Sequence, residues 1–150
     1  MRTHVRAIVT LFVLVALFGV FAPSAPAQTS ADKRAIQVDI NYTGSGTVDA
    51  RHKIYAALWN STDMSAGPPV DVQSVDSKKG TVTFSNVQTV PAFVSTAYDP
   101  TGAWDAQSPP PSGCSLGMYA KNPPKPDPID VAPGKTVKVS ITFNDAVKVP

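Results

Sequence analysis

GTVTFSNVQTVPAFVSTAYD, Gly80 to Asp99, decides how the chain is read. Val82 and Phe84 alternate with Thr81, Thr83 and Ser85, the period-two pattern of a strand with one buried face. After the connection Asn86 to Pro91, Phe93 to Tyr98 resume an apolar run broken only by Ser95 and Thr96. Branched and aromatic side chains of this kind suit a pleated, half-buried surface. The stretch is expected to be two strands joined as a hairpin, with the remaining strands packed on that pair.

Working outward, Ile36, Val38, Ile40 and Tyr42 alternate with Gln37, Asp39 and Asn41, a second one-faced strand. His52 to Trp59 is apolar on both faces, which predicts a central strand or one with a face covered by a loop. Val70, Val72 and Val75 mark a weaker strand, and Pro68-Pro69 before it puts it at an edge. Downstream, Ile129 to Val131 is a candidate short edge strand, and Val137, Val139, Ile141 and Phe143 give the cleanest alternation of all. Between them lies a long irregular region from Pro100 to Pro128, whose tail Asn122 to Pro128 is expected to run extended in polyproline II form. No segment after the first 27 residues carries a helical period, and the chain contains no Glu. The predicted fold is all-β: one antiparallel β-sandwich of about seven strands over residues 35–150, after a flexible arm over 28–34.

The first 27 residues read differently. Arg2 and Arg6 precede the apolar run Ala7 to Ala22, and Ala25-Pro26-Ala27 offers the small-x-small pattern of a signal-peptide helix cut before Gln28. The run falls short of the roughly 20 residues that span a bilayer, so no membrane span is expected after cleavage. The predicted destination is outside the cytoplasm, in a periplasm or beyond. Of the 13 Lys and Arg residues, Arg2 and Arg6 leave with the leader, so the remaining 11 balance the 11 Asp. A neutral domain of this kind has no basic footprint for nucleic acid. Cys114 is the single cysteine, either a small buried hydrophobe or a thiol able to pair between molecules.

Four features together carry a family resemblance: the strand end Leu58-Trp59, the Gly-x-Val-x-Phe strand Gly80 to Phe84, the Ala-Tyr-Asp strand end Ala97 to Asp99, and the closing Pro-Gly-x-Thr-Val-x-Val strand Pro133 to Val139. In this order the chain resembles the transthyretin-like and carboxypeptidase-regulatory-like β-sandwiches, among them small exported bacterial proteins of unknown function. It departs from them at Thr89-Val90-Pro91-Ala92-Phe93, where relatives carry a Pro-Gly-x-Tyr turn. The resemblance implies a scaffold that displays loops as an accessory to other proteins. One transthyretin-like branch is the 5-hydroxyisourate hydrolases, similar to each other in a His- and Arg-rich site and a Tyr-Arg-Gly-Ser ending. His52 is the one histidine after the leader and the chain ends Lys148-Val149-Pro150, so that activity is not expected.

Chemistry is sparse. Cys114, Met118 and His52 are too few for copper, whose blue sites need two His, and too few for zinc. Asp99, Thr101 and Asp105, with Asp127 and Asp130 further on, set oxygens in one region and make a weak calcium candidate. Asp99-Pro100-Thr101-Gly102 reads equally as a type I turn, and the turn reading is preferred. Trp104 and Tyr119 sit in a polar loop. They either anchor it to the sandwich or, with Asp105, Gln107 and Asn122 beside them, stack on a sugar. No cofactor and no catalytic residue is predicted. The expected role is non-enzymatic: binding a protein or envelope partner through the long loop and an exposed strand edge, with a glycan as the alternative ligand.

Overall fold

Alternation along β1 (Ala35–Tyr42) sends Ile36, Val38, Ile40 and Tyr42 to one side, where each is at most 3% exposed. The computed structural model describes residues 33–65 and 67–150. The expected leader and most of the expected arm lie outside the described residues. Six further strands follow: β2 (Ile54–Trp59), β3 (Asp71–Val75), β4 (Lys79–Ser85), β5 (Phe93–Tyr98), β6 (Ser115–Met118) and β7 (Thr136–Phe143). They form two sheets, a three-stranded one in the order β4-β1-β7 and a four-stranded one in the order β3-β2-β5-β6. The fold is the expected all-β sandwich of seven strands.

The core lies between the sheets. From the first sheet come the inward residues of β1 with Val82, Phe84, Val139, Ile141 and Phe143. From the second come Ile54, Ala56, Leu58, Val94 and Tyr98. Burying each large apolar side chain of this kind contributes about 1.5–3 kcal/mol relative to exposure. β2 is central, between β3 and β5, which accounts for its two apolar faces. β3 is an edge strand, as Pro68-Pro69 indicated.

Four expectations are corrected. Gly80 to Asp99 is not a hairpin: β4 pairs with β1 and β5 with β2, so the segment crosses from one sheet to the other. The connection between them is anchored rather than tight. Asn86 adopts a left-handed φ of 63°, and Val87 turns into the core at 4% exposure. Ile129 to Val131 forms no strand; Ile129 makes a single bridge to Ala92, and the seventh strand is β6, inside the region read as irregular. The tail from Asn122 is not extended, since Pro123-Pro124 is cis and the Lys125 N–H donates to the Asn122 carbonyl at 3.3 Å. Finally, β1 and β7 run parallel, the one parallel pair among five strand pairings that are otherwise antiparallel.

Candidate functional site

Asp99 follows β5 directly and organises the long loop. Pro100 and Gly102, with φ +65°, let the chain turn back, and one Asp99 oxygen accepts from the Thr101 N–H at 2.8 Å and hydroxyl at 2.7 Å. Its other oxygen accepts from the Trp104 N–H at 2.9 Å. Burial opposes the charge of this fully buried carboxylate, but these donors outweigh it and hold Asp99 below the usual carboxylate range. Both oxygens thus face protein donors, as the turn reading requires. Asp105 accepts from the Gln107 N–H, and Asp127 from the Lys121 N–H, so each carboxylate closes a local turn. Among the described residues no three His, Cys, Asp or Glu side chains gather as metal ligands do.

Trp104 is held on the outer face of the four-stranded sheet. Its ring meets that of Tyr55 edge-on, centroids 4.8 Å apart at 72°. The Tyr55 hydroxyl donates to the Trp104 carbonyl, and the Trp104 indole N–H donates to the Ser108 carbonyl. Tyr119 stands elsewhere. Its N–H donates to the Val94 carbonyl at the opposite end of β5, and its ring packs against the core. The structure therefore does not bring Trp104 and Tyr119 into one platform. Asn122 is exposed beside Tyr119, while Asp105 stays with Trp104.

Trp59 lies on the same outer face at the other end of β2, in register with Phe93. Tyr55, Ala57 and Trp59 face outward along β2, and Ser95 faces outward from β5 opposite Ala57. The Trp59 indole N–H donates to the Ser95 hydroxyl at 2.9 Å, which lays the ring along the sheet. The sequence signal for this face is the apolar second side of β2, Tyr55, Ala57 and Trp59, which reads as a central strand or one covered by a loop. The other sheet's outer face is different in kind, carrying Gln37, Asp39, Asn41, Thr81, Lys138 and Ser140.

His52 lies in a capped turn just before β2. Asp49 accepts from the N–H groups of Arg51 and His52 and contacts the His52 ring at 3.0 Å, and the backbone bonds lower the Asp49 pKa. Cys114 is fully buried, and burial, aided by the Asp99 charge, pushes its thiol up to about 11. A hub the sequence did not announce is Asp145. It accepts from the buried hydroxyls of Tyr42 and Ser115 on one oxygen, and from the Ser45 N–H and hydroxyl on the other. Strands of both sheets are thereby tied at one end, with no acceptor capacity left for a substrate.

The four sheet edges are unequal. Outward N–H and C=O groups of β4 at Thr83 are both taken by the Gln73 side-chain amide, at 3.3 and 2.8 Å. β6 is covered by the C-terminal segment: Val149 bonds Gly113 and Cys114, and Val147 accepts from the Leu116 N–H. β3 is short and its Gln73 is turned to β4. β7 is the remaining edge, with eight residues. Its flanking bonds, Ala35 N–H to the Lys135 carbonyl and Thr43 N–H to the Phe143 carbonyl, show that odd-numbered residues turn to β1. Thr136, Lys138, Ser140 and Thr142 therefore point their backbone groups away from the sheet, and these groups have no partner among the described residues. Set beside models of known protein families, curated proteins and solved structures, the chain matches none.

Proposed function

We propose that the protein is an exported, non-enzymatic β-sandwich module that associates with a protein or envelope partner by accepting an extended strand along β7. The observation that carries this is the contrast among edges: β3 has five residues, β4 is capped at Thr83 and β6 is covered by the C-terminal segment, while β7 presents four successive outward residues whose backbone groups have no partner among the described residues. Proteins blunt edges they do not use, because an open one templates pairing with another chain. Main-chain bonds supply the affinity in such additions, so no sequence motif is required. The transthyretin-like resemblance fits this accessory role, and the apolar N-terminal run with its Ala25-Pro26-Ala27 end fits export.

Ser140→Pro tests the reading. It removes one outward N–H while sparing the bonds of Val139 and Ile141 to β1, a position where an edge strand tolerates proline. Recovery of the envelope partner with the protein should be lost while the melting temperature is kept. Unchanged recovery would overturn the proposal. A second reading, glycan binding, is favoured by the outer-face set Tyr55, Trp59 and Trp104 in place of the Trp104–Tyr119 pair. It requires that polysaccharide titration shift the tryptophan fluorescence and that Trp59→Ala remove the shift.

A further inference from the structure

Resting on the strand-addition reading, the geometry points to a specific occupant for the β7 edge: β7 of a second copy of this chain, antiparallel about a two-fold axis beside Val139. The alternation of backbone groups limits the choice of register. Only Thr136, Lys138, Ser140 and Thr142 face outward, so a symmetric pairing must match these four among themselves. Centred at Val139, all four find partners. Thr136 lies opposite Thr142 of the second copy and Lys138 opposite its Ser140, each pair exchanging two hydrogen bonds. Shifting by one pair in either direction leaves one of the four unmatched, and in one direction sets Lys138 against itself, which like charges disfavour.

Charge selects the same register. On the outer face Asp39 of β1 is aligned with Ser140 of β7. In the centred pairing the order across the interface runs Asp39, Ser140, then Lys138 of the second copy. The small Ser140 side chain leaves the long Lys138 stem a path to the Asp39 carboxylate, and symmetry makes the contact twice. Asp39 has acceptor capacity for it, since among the described residues Thr81 and Gln37 alone donate to its side chain, both to one oxygen. Inward, Val139 meets its own counterpart and Val137 meets Ile141, so the apolar face of the three-stranded sheet continues into a six-stranded one.

Sedimentation of the full chain across a concentration series should show a monomer–dimer equilibrium, and hydrogen exchange at Thr136, Lys138, Ser140 and Thr142 should slow as the dimer fills. Lys138→Glu sets two like-charge contacts against Asp39 and should weaken dimerisation about tenfold, and adding Asp39→Lys should restore it. Both residues are exposed or edge-facing on the polar face, so each variant is expected to fold, with its melting temperature as the check. A chain that stays monomeric overturns the second copy as occupant. So does a dimer that Lys138→Glu leaves unchanged, or one that Asp39→Lys fails to rescue. A monomeric chain whose envelope partner is still lost on Ser140→Pro would overturn this proposal while sparing the strand-addition reading.

Discussion

Asp145 shows how one carboxylate after the last strand holds an end of the sandwich. Tyr42 and Ser115, whose hydroxyls it accepts, are 2% and 1% exposed. A buried hydroxyl left without a partner costs about 1–3 kcal/mol, so Asp145→Ala, which strands two, should lower stability by about 2–4 kcal/mol in a urea titration. The Tyr42 hydroxyl first, then Ser115 and Ser45, hold the Asp145 carboxyl well below the usual carboxylate range. A carboxyl depressed in the folded state stabilises the fold above its unfolded value of about 4, and that contribution drains away as pH falls through the folded value. Acid should therefore cost the native chain more stability than it costs Asp145→Asn. Tyr42 gives the alkaline counterpart. Burial, then its bond to Asp145, raises it to about 12. Its contribution is complete below about pH 10 and is lost as pH rises from there through 12. Tyr42→Phe should flatten that loss without removing it, because burial raises Tyr98 as well.

β6 is the element whose place in the fold is most readily tested by a single methyl group. A Cβ added at Gly117 would sit 2.6 Å from the Phe143 Cβ and 2.7 Å from the Thr96 Oγ1. Gly117→Ala must push β6 from β7 or displace Phe143, and overpacking of this kind costs about 1–3 kcal/mol. A lowered urea midpoint with an unchanged m-value is the expected outcome. The same glycine explains why β6 was hidden: Ser-Leu-Gly-Met has no alternation to read, and glycine weakens a strand pattern. β1 and β7 were legible because each keeps one face in water and one in the core. Period two reports which face is buried, however, and says nothing of the neighbour, so β4 and β5 looked like a hairpin although they belong to different sheets. The candidate sites divide the same way. The Asp99 turn could be read because its partners lie within five residues. Asp145 could not, with Tyr42 103 residues away, and neither could the open edge of β7, which exists only once strand order is known.

At the scale of the molecule, the sandwich turns its one cysteine into a reporter of opening. Cys114 is fully buried, its N–H donates to the Pro111 carbonyl, and its own carbonyl accepts from Val149 in the C-terminal segment. Burial, then the Asp99 charge, raises the thiol to about 11, so almost no thiolate exists near neutrality, and the thiolate is the reactive form. Ellman's reagent at pH 8 should leave the native chain unlabelled over a time in which the urea-unfolded chain reacts fully. Across a urea series the slow rate should track the unfolded fraction. Deleting Val147 to Pro150 removes the segment that bonds Gly113, Cys114 and Leu116, and should speed labelling without changing the midpoint by a comparable factor. That would separate local opening at β6 from global unfolding. Native labelling as fast as in urea would overturn the buried placement. The same burial bears on association: two molecules joined along β7 bury no thiol contact, so their equilibrium should be identical with and without reductant, whereas a dimer linked through Cys114 would require each sandwich to open first.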